Sequence, residues 1–312
     1  MCALKRSGKE WLSFMKKEIY DFLKNKKLEV NEVSLFQGMA HAFNNSKTSA
    51  IFVDQAHQSY VKFKLSSLTR LSRLPSIKGM KKVVVKREVG DLIFIVYDEY
   101  TEAFKICTLQ AKYKKQRSFN AGLHFRAELL QWGLLLDRPD IENCITNRFP
   151  NNLLNFNLNY KSITAFGIFY HNETIKNVDN DIEFLYEIPE NIGPVNENAN
   201  SLERSFTTYS RFVTPNSDEI IESDYLEQFS KYMREFKIGA PVEDKEILTW
   251  IHDVVVICSN NIEYIDNNAL RNIRNHNQWS STDPVKYNFN GNINLMILCT
   301  NSRFNKEEGF YS

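Results

Sequence analysis

The chain has 312 residues, of which 43% are hydrophobic and 13% aromatic, with a net charge of +1. That is enough apolar material for one large or two ordinary cores and excludes a wholly disordered chain. No apolar run approaches the roughly 18 residues of a membrane span, and no apolar signal core follows Lys5, Arg6 and Lys9, so a soluble, cytoplasmic protein without membrane contact is expected.

The five cysteines (Cys2, Cys107, Cys144, Cys258, Cys299) form no CxxC pair, which argues against a zinc ribbon or a redox motif. Charge is distributed unevenly. From Lys62 to Arg87 there are nine basic residues and no acidic one, whereas Glu173 to Glu203 holds eight acidic residues against Lys176 alone. The basic stretch could neutralise phosphates.

Helical spacing of Trp11, Phe14, Met15, Ile19, Phe22 and Leu23 predicts a helix over 9–24, and a second is expected over 30–43. Short strands are expected at 50–54 and 59–65, then helical or loop material to Pro75, then a β-branched run within 81–86. Residues 92–97 are nearly all apolar, as suits a strand buried on both faces, and 104–111 form a second apolar strand after a polar turn. A polar, basic loop to Asn120 precedes a predicted helix over 122–136, stopped by Arg138-Pro139. Residues 162–171 read as a buried strand reached by a crossover, which gives a mixed α/β core. The acidic, Asn-rich stretch 172–205 reads as a long surface loop and the best boundary. A helix is expected over 225–236, closed by Gly239. Residues 247–257 fit either a strand or a helix, and a last strand is expected at 295–299.

A register follows for the two central strands. With the turn centred between Tyr100 and Thr101, partners have numbers summing to 201, so Asp91 falls opposite Gln110. Gln110 and Lys112 are two apart and share a face. A carboxylate, an amide oxygen and an ammonium then converge at the end of two apolar strands, where polar groups are costly unless they have a purpose. These residues suit a metal-assisted phosphodiester hydrolase. Asp91 would be the main ligand of a hard cation such as Mg²⁺ or Mn²⁺, with the Gln110 amide and the Ala111 carbonyl as neutral oxygen donors. Lys112 would orient water or stabilise charge on the phosphate. Basic residues on either side (Lys81, Lys82, Lys86, Arg87, Lys114, Lys115 and Arg117) are candidate phosphate contacts. No HExxH, GxSxG, Walker A or GxGxxG pattern occurs.

Gly90-Asp91-Leu92-Ile93-Phe94 followed by Leu109-Gln110-Ala111-Lys112 resembles the PD-(D/E)XK nuclease superfamily in its QxK form, as in Mrr-like restriction enzymes. Local features such as Glu88-Val89-Gly90-Asp91 and Glu128-Leu129-Leu130-Gln131-Trp132 are similar to a bacterial group within it. The resemblance implies a restriction-endonuclease-like mixed sheet flanked by helices. It implies a metal-dependent DNA endonuclease of restriction or anti-phage defence type, in which the flanking basic residues contact DNA phosphates and which acts as a homodimer or with a defence-system partner protein. On this reading residues 1–175 form the nuclease-like core, 176–217 an acidic loop or linker, and 218–312 a mainly helical C-terminal extension. Gln110 replaces the commoner acidic residue, so a second carboxylate is sought. Glu10 or Glu18 could supply it from the first helix, with Glu88 and Asp54 as alternatives. Glu128 and Gln131, one helical turn apart, match the place of a supporting helix residue, and His57 could touch the site or DNA. Two other readings stay open. One is a catalytically inactive nuclease fold that binds nucleic acid or scaffolds a defence complex. The other is a structural protein in which Asp91 and Lys112 form an internal ion pair.

Overall fold

The computed structural model describes residues 8–45, 49–52, 60–70, 83–114, 123–144, 148–171, 182–194, 201–204, 219–220, 222–223, 226–260, 273, 286–287 and 295–300. The predicted first helix is α1 (Gly8–Asn25), with Met15, Ile19 and Leu23 buried at four-residue spacing. The second is α2 (Glu32–Asn45). Its start is fixed by reciprocal bonds. The Ser34 N–H donates to Asn31 Oδ1 at 3.0 Å, and the Asn31 N–H donates to Ser34 Oγ at 3.0 Å.

The expected strands follow as β1 (Ser49–Phe52), β2 (Tyr60–Lys64), β3 (Val84–Glu88), β4 (Leu92–Asp98) and β5 (Ala103–Lys114). Every residue of β4 is buried, as its unbroken apolar run requires. The stretch predicted as one helix over 122–136 is divided. Leu123–Arg126 is a strand, β6, and only Leu129–Asp137 is helical, α3. Glu128 has extended backbone at the helix start, and β6 finds a ladder partner that local spacing could not reveal. Arg138 ends α3 in the left-handed conformation at φ 47, immediately before Pro139.

Next come β7 (Glu142–Asn143), β8 (Thr164–His171), β9 (Ile182–Glu187), β10 (Ile192–Pro194), β11 (Ser201–Arg204) and β12 (Glu222–Ser223). Residues 182–187 therefore depart from the expected surface loop. Phe184, Leu185 and Tyr186 are fully buried against β8, and their apolar side chains outweigh the acidic composition around them. The chain continues with α4 (Leu226–Arg234), β13 (Ala240–Pro241), α5 (Lys245–Asn260) and β14 (Leu295–Thr300). The ambiguous 247–257 stretch is helical because Asp244 Oδ1 caps it, accepting from the Glu246 and Ile247 N–H groups at 2.8 and 3.0 Å. The predicted cap of α4 is displaced. Phe236, not Gly239, takes the left-handed position next to the helix end (φ 58), while Gly239 (φ 89) lets the chain pass within contact of the Ile106 carbonyl on β5.

The main sheet has the order β1-β14-β4-β5-β8-β9-β12, with β13 also paired to β5. β14 runs parallel to β4 and β8 parallel to β5, and the other pairs are antiparallel. The fold is thus α/β with a mixed sheet flanked by helices. Two apolar layers cover its faces, one with residues of α1, α2 and α4, the other with residues of α3 and α5. Two three-stranded sheets, β10-β11-β6 and β3-β2-β7, complete the described structure. The segment expected as a mainly helical extension supplies α4 and α5, and also the inner strand β14. No helix among the described residues is long and apolar enough to cross a membrane.

Candidate active site at the end of the central hairpin

The register predicted from the turn is the one the chain adopts. Leu92 pairs with Leu109, Ile93 with Thr108 and so on to Asp98 with Ala103. Asp91 is the next residue outward, where the chain bends out of the ladder. Its N–H donates to the Leu109 carbonyl at 2.9 Å, and its Oδ2 accepts the Ala111 N–H at 2.7 Å. The carboxylate thus bonds the β5 backbone directly. Gln110 Nε2 also donates to Asp91 Oδ2, so the two side chains meet as expected.

Gly90 makes this approach possible. A Cβ there would lie 2.7 Å from Thr108 Cγ2 and 2.9 Å from the Leu109 carbonyl oxygen. Gly90→Ala is expected to cost about 1–3 kcal/mol of stability and to push Asp91 away from β5. Urea unfolding and loss of the Ala111 amide's protection from hydrogen exchange would both report it; an unchanged midpoint and unchanged exchange would contradict it.

Lys112 has a different partner from the one an Asp91–Lys112 ion pair would require. Its Nζ donates to Glu32 Oε1 at 2.9 Å. Glu32 sits in the first turn of α2, where the helix dipole favours an anion. A carboxylate that acts on Asp91 alongside Glu88 is therefore on the second helix, a residue that sequence reasoning missed. The Asn31-to-Ser34 capping pattern places Glu32 in a first turn, but no local signal says which strand that turn faces.

The other candidates divide clearly. Glu18 bonds Asn45 Nδ2 at the far end of α2, roughly 20 Å from Glu32 along the helix. Glu10 lies on α1, and its side chain is outside the described residues, as are Asp54, His57, Lys81, Lys82, Lys115 and Arg117. Glu88 ends β3 and bears on Asp91 through its charge. Gln131 is buried on α3, and its Nε2 donates to the Glu88 carbonyl at 2.8 Å, which fixes the backbone leading into Asp91. Glu128 precedes α3 and is ion-paired with Arg87, so Arg87 is already neutralised by a carboxylate. Lys86 Nζ lies 4.6 Å from the centre of the Tyr60 ring, and Lys114 closes β5.

The electrostatics of Asp91 follow from this company. Burial pushes its carboxyl up to about 7 from an ordinary 3.8; Lys112 and the Ala111 N–H pull it down, while Glu32 and Glu88 push it further up. Nearby, Gln110 Oε1 is buried and accepts no hydrogen bond. An under-compensated carboxylate, a second carboxylate and an orphaned amide oxygen form an all-oxygen donor set, which fits a hard divalent cation. Among the described residues no group of three or more His, Cys, Asp or Glu side chains could hold a metal, so such an ion would rely on Asp91, Glu32 and the neutral oxygens. No family model, no curated protein and no solved structure matches the chain.

Proposed function

We propose that the protein is a metal-dependent DNA endonuclease of restriction or anti-phage defence type, working with Mg²⁺ or Mn²⁺. One observation carries this reading: Asp91, Gln110 and Lys112 gather at the open end of one hairpin, beside the Glu32 carboxylate. Asp91 and Glu32 would hold the cation, with Gln110 Oε1 and the Ala111 carbonyl as neutral donors. When bound, the cation lowers the pKa of a bound water and polarises the phosphate. Lys112, oriented by Glu32, offers its ammonium to the non-bridging phosphate oxygens as charge builds on them. Water oxygen bonds to phosphorus, the bridging P–O bond breaks, and the departing oxygen takes up a proton. Gln131 and Gly90 position the Asp91 backbone and touch no substrate.

Purified protein is incubated with plasmid and linear DNA, with and without Mg²⁺ or Mn²⁺, beside Lys112→Ala. The expected result is metal-dependent cutting that Lys112→Ala reduces by at least about a hundredfold. DNA binding without cutting in the wild type would favour the second reading, an inactive nuclease fold. The observation behind that reading is Gln110 itself, a neutral amide whose NH₂ already occupies Asp91 Oδ2.

A further inference from the structure

β2 is the central strand of the β3-β2-β7 sheet and alternates strictly. Val61 and Phe63 are buried in the core, while Tyr60, Lys62 and Lys64 face outward. On β3, Lys86 stands directly opposite Lys62 and the exposed Val84 opposite Lys64. Two lysines directly opposite each other on an antiparallel pair repel. The Lys86 ammonium lies instead over the Tyr60 ring. Glu142 is opposite Lys62 on its other side, but no ion pair forms with any of the three lysines among the described residues. Lysines often guard exposed strand edges, yet Lys62 is paired on both sides, to Lys86 and to Glu142, where no edge needs guarding.

We propose that this outer face of β2 and β3 is a docking track for the phosphodiester backbone of a nucleic acid. Lys62, Lys64 and Lys86 neutralise successive phosphates, and Tyr60 lies alongside at the end nearest the cleavage site. The inference rests on the phosphodiester reading of the Asp91 site and adds the path by which the substrate reaches it. β3 leads straight into that site. From Lys86 to Asp91 the chain spans at most ~17 Å, so the track begins within roughly five base steps of Asp91. Charge selects the occupant: the face carries Lys62, Lys64 and Lys86 against Glu88 and Glu142, and the sequence from Lys62 to Arg87 has nine basic residues with no acidic one. Arg87 is not part of the track, since Glu128 holds it.

The test is fluorescence anisotropy of the full chain with labelled duplex DNA, single-stranded DNA and RNA, in EDTA, across a salt series. The combined Lys62→Ala, Lys64→Ala and Lys86→Ala variant should bind at least about tenfold more weakly, and its slope of log K against log salt should be shallower by about 2 to 3. The matching Lys→Arg variant should keep the wild-type slope. Lys64→Gln alone, which alters no contact of the fold, should lose about 1 from the slope even if the triple variant folds poorly. The three probes report whether duplex or single strand is preferred. Unchanged slope and affinity would overturn the proposal, as would a wild-type protein that binds none of the probes, which would leave an acidic polypeptide as the occupant. Cutting is scored separately. Lysine-dependent binding without cutting removes only the nuclease reading, and cutting with binding indifferent to the lysines removes only the track.

Discussion

Asp91→Asn is expected to abolish metal-dependent cleavage, by about a thousandfold or more, and also to make the metal-free protein harder to unfold at alkaline pH. Both effects have one source. The folded chain holds the Asp91 carboxyl up to about 7, against 3.8 for the free side chain, chiefly through burial. Between about pH 4 and pH 7 the folded protein keeps a proton that the unfolded chain has released. Stability therefore falls as pH rises through that window, and above it the cost is constant, on the order of 4 kcal/mol at most and less where solvent reaches the group. Asparagine cannot ionise, so the variant escapes that cost while still offering an oxygen to the Ala111 N–H. Urea melts should show the variant ahead at pH 8, with the gap closing towards pH 4. Mg²⁺ or Mn²⁺ should raise the melting temperature of the wild type at pH 8 and leave the variant unmoved. If the variant is instead less stable at pH 8, the carboxylate is a structural partner of Gln110 and the Ala111 N–H and not a metal ligand.

The second large effect is expected at Glu32. Glu32→Gln removes one of the two carboxylates and the anion that holds Lys112. Cleavage should fall by about a hundredfold or more. The Asp91 carboxyl should titrate at lower pH, because Glu32 is one of the charges pushing it up and Lys112 is then free to act on Asp91 more strongly. Carboxyl-carbon NMR titration of wild type and variant measures the shift directly. Full activity with an unmoved Asp91 titration would remove Glu32 from the site.

How far these residues could be read from sequence depends on the range of the forces that place them. The hairpin was legible because two apolar runs and a polar turn admit one register, and a slip of one residue would turn Ile93, Ile95 and Tyr97 to the wrong layer. That register carried Asp91 to Gln110 and Lys112. Glu32 was not legible, because its place depends on how α2 packs across the sheet. The resemblance points to the first helix for the acid, but its Glu18 lies at the wrong end of α2. The start of α3 was misjudged because the strand-like alternation of Leu123, Phe125 and Ala127 is too short to stand out before the apolar run of the helix, and pairing with β11 settles it. β9 was hidden by the acidic residues on either side of Phe184, Leu185 and Tyr186. The strand at 295–300 was foreseen, but not its neighbours, since sequence distance says nothing about which edge a late strand joins.

That late strand governs how the protein can be made. β14 sits between β1 and β4, and both of its ladders join residues more than 200 positions apart. Until residue 300 leaves the ribosome, β4 has an open edge and β1 has no partner in the sheet. At 5–20 residues per second the gap between finishing β5 and finishing β14 is roughly ten to forty seconds. Throughout that time the hairpin bearing Asp91 has on one side an open strand that is apolar from Leu92 to Tyr97, the kind of edge that recruits other chains. The frame around Asp91 is completed only once β14 has been made, so a chain stopped short of β14 lacks that frame.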